Sequence, residues 1–227
     1  MPTSSITPLV KSWIDGWVVS RGAAEPDEEP WGWTVAVGNF KETARHLIPD
    51  GDEAVIRKLA VDSAVAGRWL KVFLPQVTLD LAQPDAAEEL IMPWLGGAES
   101  GWSVDLPGFL MTLDLERSAA VAVPEGYRMR VWHRGGVVRV MVTAADGSLA
   151  ARGQIAATGA TAVADQIETS PLHRRKGLGS LVMRVLQNAA LDAGASTGIL
   201  VGTLEGRLMY EAVGWRTHAA MASVQFG

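Results

Sequence analysis

"IETSPLHRRKGLGSLVMRVL", residues 167–186, sets three consecutive cations, Arg174, Arg175 and Lys176, against Gly177 and Gly179, then runs directly into helical periodicity. The residues leading into it, "ATAVADQIET" (160–169), read as a strand. A strand, a basic glycine loop and a helix together form an anion cradle, because the first-turn N–H groups of the helix have no partner and its dipole favours negative charge. Gly177 and Gly179 let the backbone approach phosphate oxygens, and the cations add charge-assisted contacts. Two common phosphate loops do not fit. A Walker loop needs Gly-Lys-Ser/Thr, but here Lys176 precedes Gly177 and Leu172 stands where the first glycine belongs. A dinucleotide loop needs a third glycine where Val182 stands. The pattern that fits is Arg-x-x-Gly-x-Gly on Arg174, Gly177 and Gly179. The plainer alternative is a solvated basic turn at a strand–helix joint.

Working outward, "SLVMRVLQNAALDAG" carries an apolar stripe of Leu181, Val182, Val185, Leu186 and Ala189, with Gly194 as its stop. "TGILVGT" reads as a buried strand, "EGRLMYEAVG" as a short helix closed by Gly214, and "WRTHAAMASVQF" as a last strand. Upstream, "GYRMRVWHR" alternates, with Tyr127, Met129 and Val131 on one face. "VVRVMVTAADGSLAARGQIAATG" is two strands joined by Ala-Asp-Gly-Ser, a hairpin signal. Strands followed by helix, strand, helix and strand predict a mixed α/β or α+β sheet.

Glycines and prolines in "PWLGGAESGWSVDLPGFLM" mark a seam, placed near residue 105, so the predicted division is 1–104 and 105–227. Ahead of it, "TPLVKSWIDGWVV" reads as a helix with Leu9, Trp13 and Trp17 on one face and Pro8 in the first turn. "SRGAAEPDEEP" reads as a loop, "GWTVAVG" as a strand, and "KETARHLI" as a helix with Ala44, Leu47 and Ile48 on one side. "EAVIRKLAVDSAV" reads as a further helix and "RWLKVFL" as a strand. This half holds no motif with a chemical reading.

Composition narrows the function. The 227 residues carry formal net charge -5, no cysteine and four histidines, so a disulfide, a thiol nucleophile and a thiolate metal site are excluded, and a zinc site is not expected. A net acidic chain argues against a general nucleic-acid surface. No apolar run approaches the roughly 20 residues of a membrane span and the start lacks a signal peptide's pattern, so the expectation is a cytoplasmic protein with no membrane partner. The oligomeric state stays open, a homodimer among the options. Nine tryptophans, Trp94 and Trp102 near the seam, read first as core and second as an aromatic acceptor pocket.

The loop resembles the core motif of the GNAT superfamily of acetyl-CoA-dependent N-acetyltransferases, a strand followed by Arg/Gln-x-x-Gly-x-Gly/Ala opening a helix. A second motif of that family, Asn-x-x-Ala-x-x-x-Tyr-x-x-x-Gly-Phe, is similar to "TLEGRLMYEAVGW", which matches at Tyr210 and Gly214 and has Trp215 for the aromatic. It departs at Thr203 for Asn and Gly206 for Ala. The resemblance covers roughly residues 109–226. It implies a GNAT-like, mostly antiparallel central sheet flanked by helices, and acetyl transfer from acetyl-CoA to a small-molecule or peptide amine in a ternary complex, without metal. It also implies that the pantetheine arm pairs with backbone near Ile167 and Thr169, and that Arg174, Arg175, Lys176, Gly177, Leu178, Gly179 and Ser180 hold the diphosphate. Tyr210 takes the place of the general acid, a phenol being protonated at neutral pH. Asp165 is the favoured general base and Glu168 the second; three positions apart on a strand, they are expected on opposite faces. His173, in the loop, is expected to cap it or contact the cofactor. The rival reading is a non-catalytic acyl-CoA-binding sensor or assembly protein.

A family domain has one or two early helices, which would have to come between "FLMTLDL" and "YRMRV", where only about a dozen residues lie. The first hundred residues therefore supply those helices or form a degenerate second GNAT-like domain, the latter preferred. Lacking a glycine loop, that copy is expected to bind no acetyl-CoA.

Overall fold

The structure, a computed structural model, describes residues 5–75, 86–119 and 122–227. The chain forms two compact units. The first combines the chain up to Ile14 with Ala23–Thr112 and Val201–Gly227, and the second combines Asp15–Gly22 with Leu113–Leu200. Among the described residues no helix is long and apolar enough to cross a membrane, and no group of His, Asp and Glu is arranged to hold a metal ion.

Helix α1 (Thr7–Arg21) begins in the first unit and ends in the second. Its buried side chains are Val10, Trp13, Ile14, Trp17 and Val18, so the covered face is centred on Val10 and Ile14 and leaves the predicted Leu9 partly exposed.

In the second unit, β7 (Tyr127–Arg134), β8 (Val137–Ala144), β9 (Leu149–Thr158) and β10 (Thr161–Thr169) form an antiparallel meander. Helix α4 (Leu178–Asp192) then leads to β11 (Thr197–Gly202), which lies parallel to β10. The buried face of α4 is Leu178, Leu181, Val182, Met183, Leu186 and Ala190, close to the predicted stripe.

The first unit opens the same way. Strands β1 (Asp27–Glu29), β2 (Gly32–Ala36) and β3 (Ala44–Ile48) form an antiparallel meander, and helix α2 (Glu53–Asp62) leads to β4 (Arg68–Pro75), parallel to β3. After the short helix α3 (Ala86–Ile91), β5 (Trp102–Val104) and β6 (Gly108–Asp114) follow. Helix α5 (Leu204–Glu211) precedes β12 (Arg216–Phe226), which pairs antiparallel with β4, β5 and β6. Two of the pairings, β3 with β4 and β10 with β11, are parallel, each joined through a helix.

Two sequence expectations are corrected here. Ala44–Ile48 is a strand, where the spacing of Ala44, Leu47 and Ile48 predicts a helix. Four of its five residues are buried between β2 and β4, a pattern that three-to-four spacing imitates over so short a run. The Asn39 side chain also accepts the Lys41 and Glu42 N–H groups at 3.0 and 2.7 Å, folding "NFKE" into a turn in place of a first helical turn. Within the expected loop "SRGAAEPDEEP", Asp27–Glu29 pairs as β1.

Lys71, on β4, is buried and donates to Ser223 on β12, whose hydroxyl in turn donates to Asp105 at 3.2 Å. Its ammonium sits 4.3 Å from the centre of the Trp69 ring. Burial, reinforced by the Arg45 guanidinium, pushes Lys71 down to about 8. The unfolded chain, with lysine near its ordinary 10.5, binds more protons than the fold between those values, so stability rises with pH through that window and is insensitive to this group below it. The slope is at most about 1.4 kcal/mol per pH unit. Urea unfolding between pH 7 and 10.5 is expected to show this rise in the native chain and to lose it in Lys71→Met; parallel pH profiles for the two would refute it.

Candidate functional site

The ladder between β10 and β9 is regular from Thr161–Thr158 to Asp165–Gln154, then resumes with Glu168 opposite Arg152. Three steps on β10 therefore match two on β9, a β-bulge, with Gln166 in the left-handed region at φ 53°. The bulge overturns the expectation that Asp165 and Glu168 face opposite ways. Gln154 and Arg152 lie two apart on β9 and share a face, so Asp165 and Glu168 share it too.

That face is charged and closed by α1. Asp165 Oδ2 accepts from Ser20 Oγ at 2.8 Å and Arg21 Nε at 2.5 Å, and Oδ1 accepts from Arg21 Nη2 at 2.8 Å and the Gln166 N–H at 2.9 Å. Gln154 donates to the Ser20 carbonyl at 2.8 Å. Glu168 forms a two-pronged pair with Arg152 at 3.1 and 3.0 Å and is more exposed than Asp165. The sequence does not point to Ser20, Arg21 and Gln154, since contacts between residues 134 to 145 positions apart leave no local signal.

Ile167 turns the other way, under α4. A Cβ at Gly153 would lie 2.6 Å from Ile167 Cδ1, 2.7 Å from Val182 Cγ1 and 3.0 Å from Leu186 Cδ1, so glycine at 153 is what lets the helix settle on β9 and β10. The parallel ladder of β10 with β11 runs only from Thr161–Thr197 to Val163–Ile199. Beyond it, among the described residues, Asp165–Thr169 is laddered to β9 alone, so the predicted positions Ile167 and Thr169 lie on a stretch with no described ladder partner on the β11 side.

A 3-10 turn at Pro171–His173 leads into the glycine loop, where Arg175 has φ 62° and Gly177 φ 75°. Gly177 is the N-cap of α4 and no side chain caps that end. The first helical bond is Leu181 N–H to the Gly177 carbonyl at 3.0 Å, which leaves Leu178, Gly179 and Ser180 N–H without a helical acceptor. Arg174, Arg175 and Lys176 are all exposed beside them, and Gly179 lies close to Thr169, whose Oγ1 would be 3.4 Å from a Cβ there. His173 turns back to the sheet, with Nδ1 3.0 Å from the Tyr127 hydroxyl and Nε2 3.5 Å from Ser148 Oγ. It thus anchors the loop, and Tyr127, whose ring lies under Lys176 at 5.7 Å, is a part of the site that strand alternation could not reveal.

The structure brings Asp165, Ile167, Glu168, Thr169 and residues 174–180 together in the second unit, and Tyr210 lies in the first. Tyr210 is buried on α5 with its ring 5.7 Å from Trp215, and burial pushes its phenol up to about 12, so it holds its proton. Thr203 caps α5, accepting the Gly206 N–H at 3.2 Å. Trp102 is core, its indole donating to the Ala60 carbonyl at 3.0 Å, and Trp94 is partly exposed.

No protein-family model matches the sequence, and no curated protein matches it. Solved structures do match. The chain is similar to a GCN5-related N-acetyltransferase from Kribbella flavida, at 15% identity and TM-score 0.62 over 99% of this chain and 96% of that one. It is similar to a GCN5-related N-acetyltransferase-like protein from Streptococcus suis, at 13% identity and TM-score 0.59 over 97% and 98% of the two chains. A tandem GNAT protein from the clavulanic acid biosynthesis pathway matches at 16% identity and TM-score 0.52 over 80% and 74%. The fold is therefore that of the GCN5-related N-acetyltransferases.

Gly153→Val should force α4 off the strands, lowering stability by about 1–3 kcal/mol as overpacked cores do, which urea unfolding would register. An unchanged midpoint would show that the helix is not held there.

Proposed function

We propose that the chain is an N-acetyltransferase that moves an acetyl group from acetyl-CoA to a primary amine of a small molecule or peptide, by direct transfer in a ternary complex. The observation that carries this is the uncapped start of α4, with three N–H groups and three exposed cations together beside the bulged end of β10. That set matches a diphosphate, since main-chain donors and a helix dipole favour an anion and the cations neutralise it. The fit also holds for size, because Gly177 and Gly179 leave the main chain bare at the helix start. Ile167 and Thr169 offer backbone groups to the pantetheine amides.

The thioester supplies an activated acetyl group. The amine nitrogen bonds to its carbonyl carbon as the C–S bond breaks, the amine proton leaves for a carboxylate, and the thiolate takes a proton from Tyr210. Tyr210 suits that role in holding its proton at neutral pH. Glu168 suits the base role better than Asp165, because it is the more exposed and each of its oxygens accepts one bond, from Arg152, where each oxygen of Asp165 accepts two. Asp165 then serves to fix the bulge.

One observation favours the second reading, a non-catalytic acyl-CoA-binding protein: both carboxylates are held in arginine pairs, and neither is a free base. Release of free coenzyme A across a panel of amines separates the two. For the enzyme, Tyr210→Phe should lower kcat by about 10²-fold and leave coenzyme A affinity unchanged. Binding of coenzyme A without acetylation of any amine would select the second reading. Failure of coenzyme A to bind would reject both.

A further inference from the structure

The first unit holds a cleft of about 480 Å³ where the β1–β2 hairpin meets the junction of β3 and α2. Its place in the topology repeats that of the basic glycine loop. Each unit has an antiparallel meander followed by strand, helix and parallel strand, and the cleft lies at the strand-to-helix junction of the first unit as the glycine loop does in the second. The charges are reversed. Where the second unit has Arg174, Arg175 and Lys176, the first has Asp50 and Asp52, and the hairpin adds Glu28 and Glu29. The anion position at the helix start is also filled, since Asp52 Oδ1 accepts the Val55 N–H at 3.0 Å and caps α2. A phosphate meets no cation there.

What the cleft offers is a cation site with aromatic walls. None of its lining residues is Lys or Arg, and among the described residues none of the four carboxylates is in an ion pair. Lys58, which feels the charge of Glu29, is itself bonded to Asp62 at 2.8 Å. Trp31, half-buried at the hairpin tip, is braced edge-on by His46 at 5.3 Å. The hairpin is pressed on β3 at Gly32, where a Cβ would lie 2.1 Å from the Leu47 carbonyl, and the tryptophans on either side of that glycine both line the cleft. Trp33 lines the cleft, is only 8% exposed, and its Nε1–H has no hydrogen-bond partner among the described residues. A buried donor without an acceptor costs about 1–3 kcal/mol, so an oxygen brought opposite that indole would be favoured. The carboxylates are too dispersed to form a metal-holding group, which suits a bulky cation with spread charge and not a divalent ion.

We propose that this cleft binds a small organic ammonium ion carrying a hydroxyl or carbonyl oxygen, its charge against Trp31 and the four carboxylates and its oxygen accepting from Trp33. The site is separate from acyl transfer and stands whether or not that reading does.

The test titrates the full chain with choline by calorimetry and by the indole N–H resonances, using 3,3-dimethylbutan-1-ol, its uncharged carbon isostere, as control. Choline should bind and move the Trp33 indole resonance, and the neutral alcohol should bind at least about tenfold more weakly. Trp31→Ala, and separately Glu28→Gln with Glu29→Gln, should each weaken choline at least about tenfold. The glutamate pair lies on an exposed strand, so it decides the matter if Trp31→Ala does not fold. No binding up to roughly 10 mM, equal binding of the neutral alcohol, or binding indifferent to the glutamate pair overturns the proposal. Coenzyme A is titrated in parallel: choline binding without coenzyme A binding would sink the acyl-transfer reading alone, and the converse would sink this one alone.

Discussion

One extra residue in β10, between Asp165 and Glu168, determines what the second unit can do. A bulge bends its strand and increases the local twist, so a strand that carries one diverges from a straight neighbour. Here the parallel ladder with β11 stops at Val163–Ile199, just short of the bulge, and among the described residues the rest of β10 keeps only its β9 partner. Unladdered main chain in the middle of a fold needs another partner, and an extended amide-bearing chain is a natural one. The left-handed Gln166 stores strain that its surroundings must hold, and Asp165 does so by accepting the Gln166 N–H while Arg21 and Ser20 hold Asp165. The tie from α1 to β10 therefore maintains an irregularity as well as a contact.

The same bulge sorts the two faces of the strand. Asp165 and Glu168 are brought to one side, and Ile167 drops to the other, where the missing side chain of Gly153 receives it with Val182 and Leu186. Helix α4 is thereby seated by its second and third turns, together with Leu178 in its first. With no side-chain cap and a left-handed glycine as N-cap, that first turn presents bare N–H groups. The loop before it is steadied by His173 on Tyr127 and Ser148, and Arg174, Arg175 and Lys176 stay exposed.

Most of this unit was legible in the sequence because its signals are local. The apolar stripe of α4, the Ala-Asp-Gly-Ser hairpin and the glycine loop each lie within about one element's length. What escaped was set by distant partners. The bulge has no glycine or proline to announce it, and strict alternation therefore placed Asp165 and Glu168 on opposite faces. The arginine that engages Asp165 is on α1, beyond the reach of any spacing rule. In the first unit, Ala44, Leu47 and Ile48 fit a helical stripe and a buried strand equally well, and tertiary burial between β2 and β4 decided the matter.

The two departures from the second motif, Thr203 and Gly206, make sense as a pair. Thr203 caps α5 through a hydroxyl accepting the Gly206 N–H, so the capping role of an asparagine is kept with a shorter side chain. A Cβ at 206 would lie 3.3 Å from both Thr203 Oγ1 and Tyr210 Cε2, tighter than ordinary contact. Threonine at the cap and glycine at the third helical position are thus mutually compatible, and together they leave room for the Tyr210 ring against the start of its own helix. Gly214, at φ 96°, then turns the chain after the helix, and Trp215 packs against Tyr210 at 5.7 Å between ring centres. The tyrosine is held within one short segment, and the burial this imposes raises its phenol above the ordinary tyrosine value.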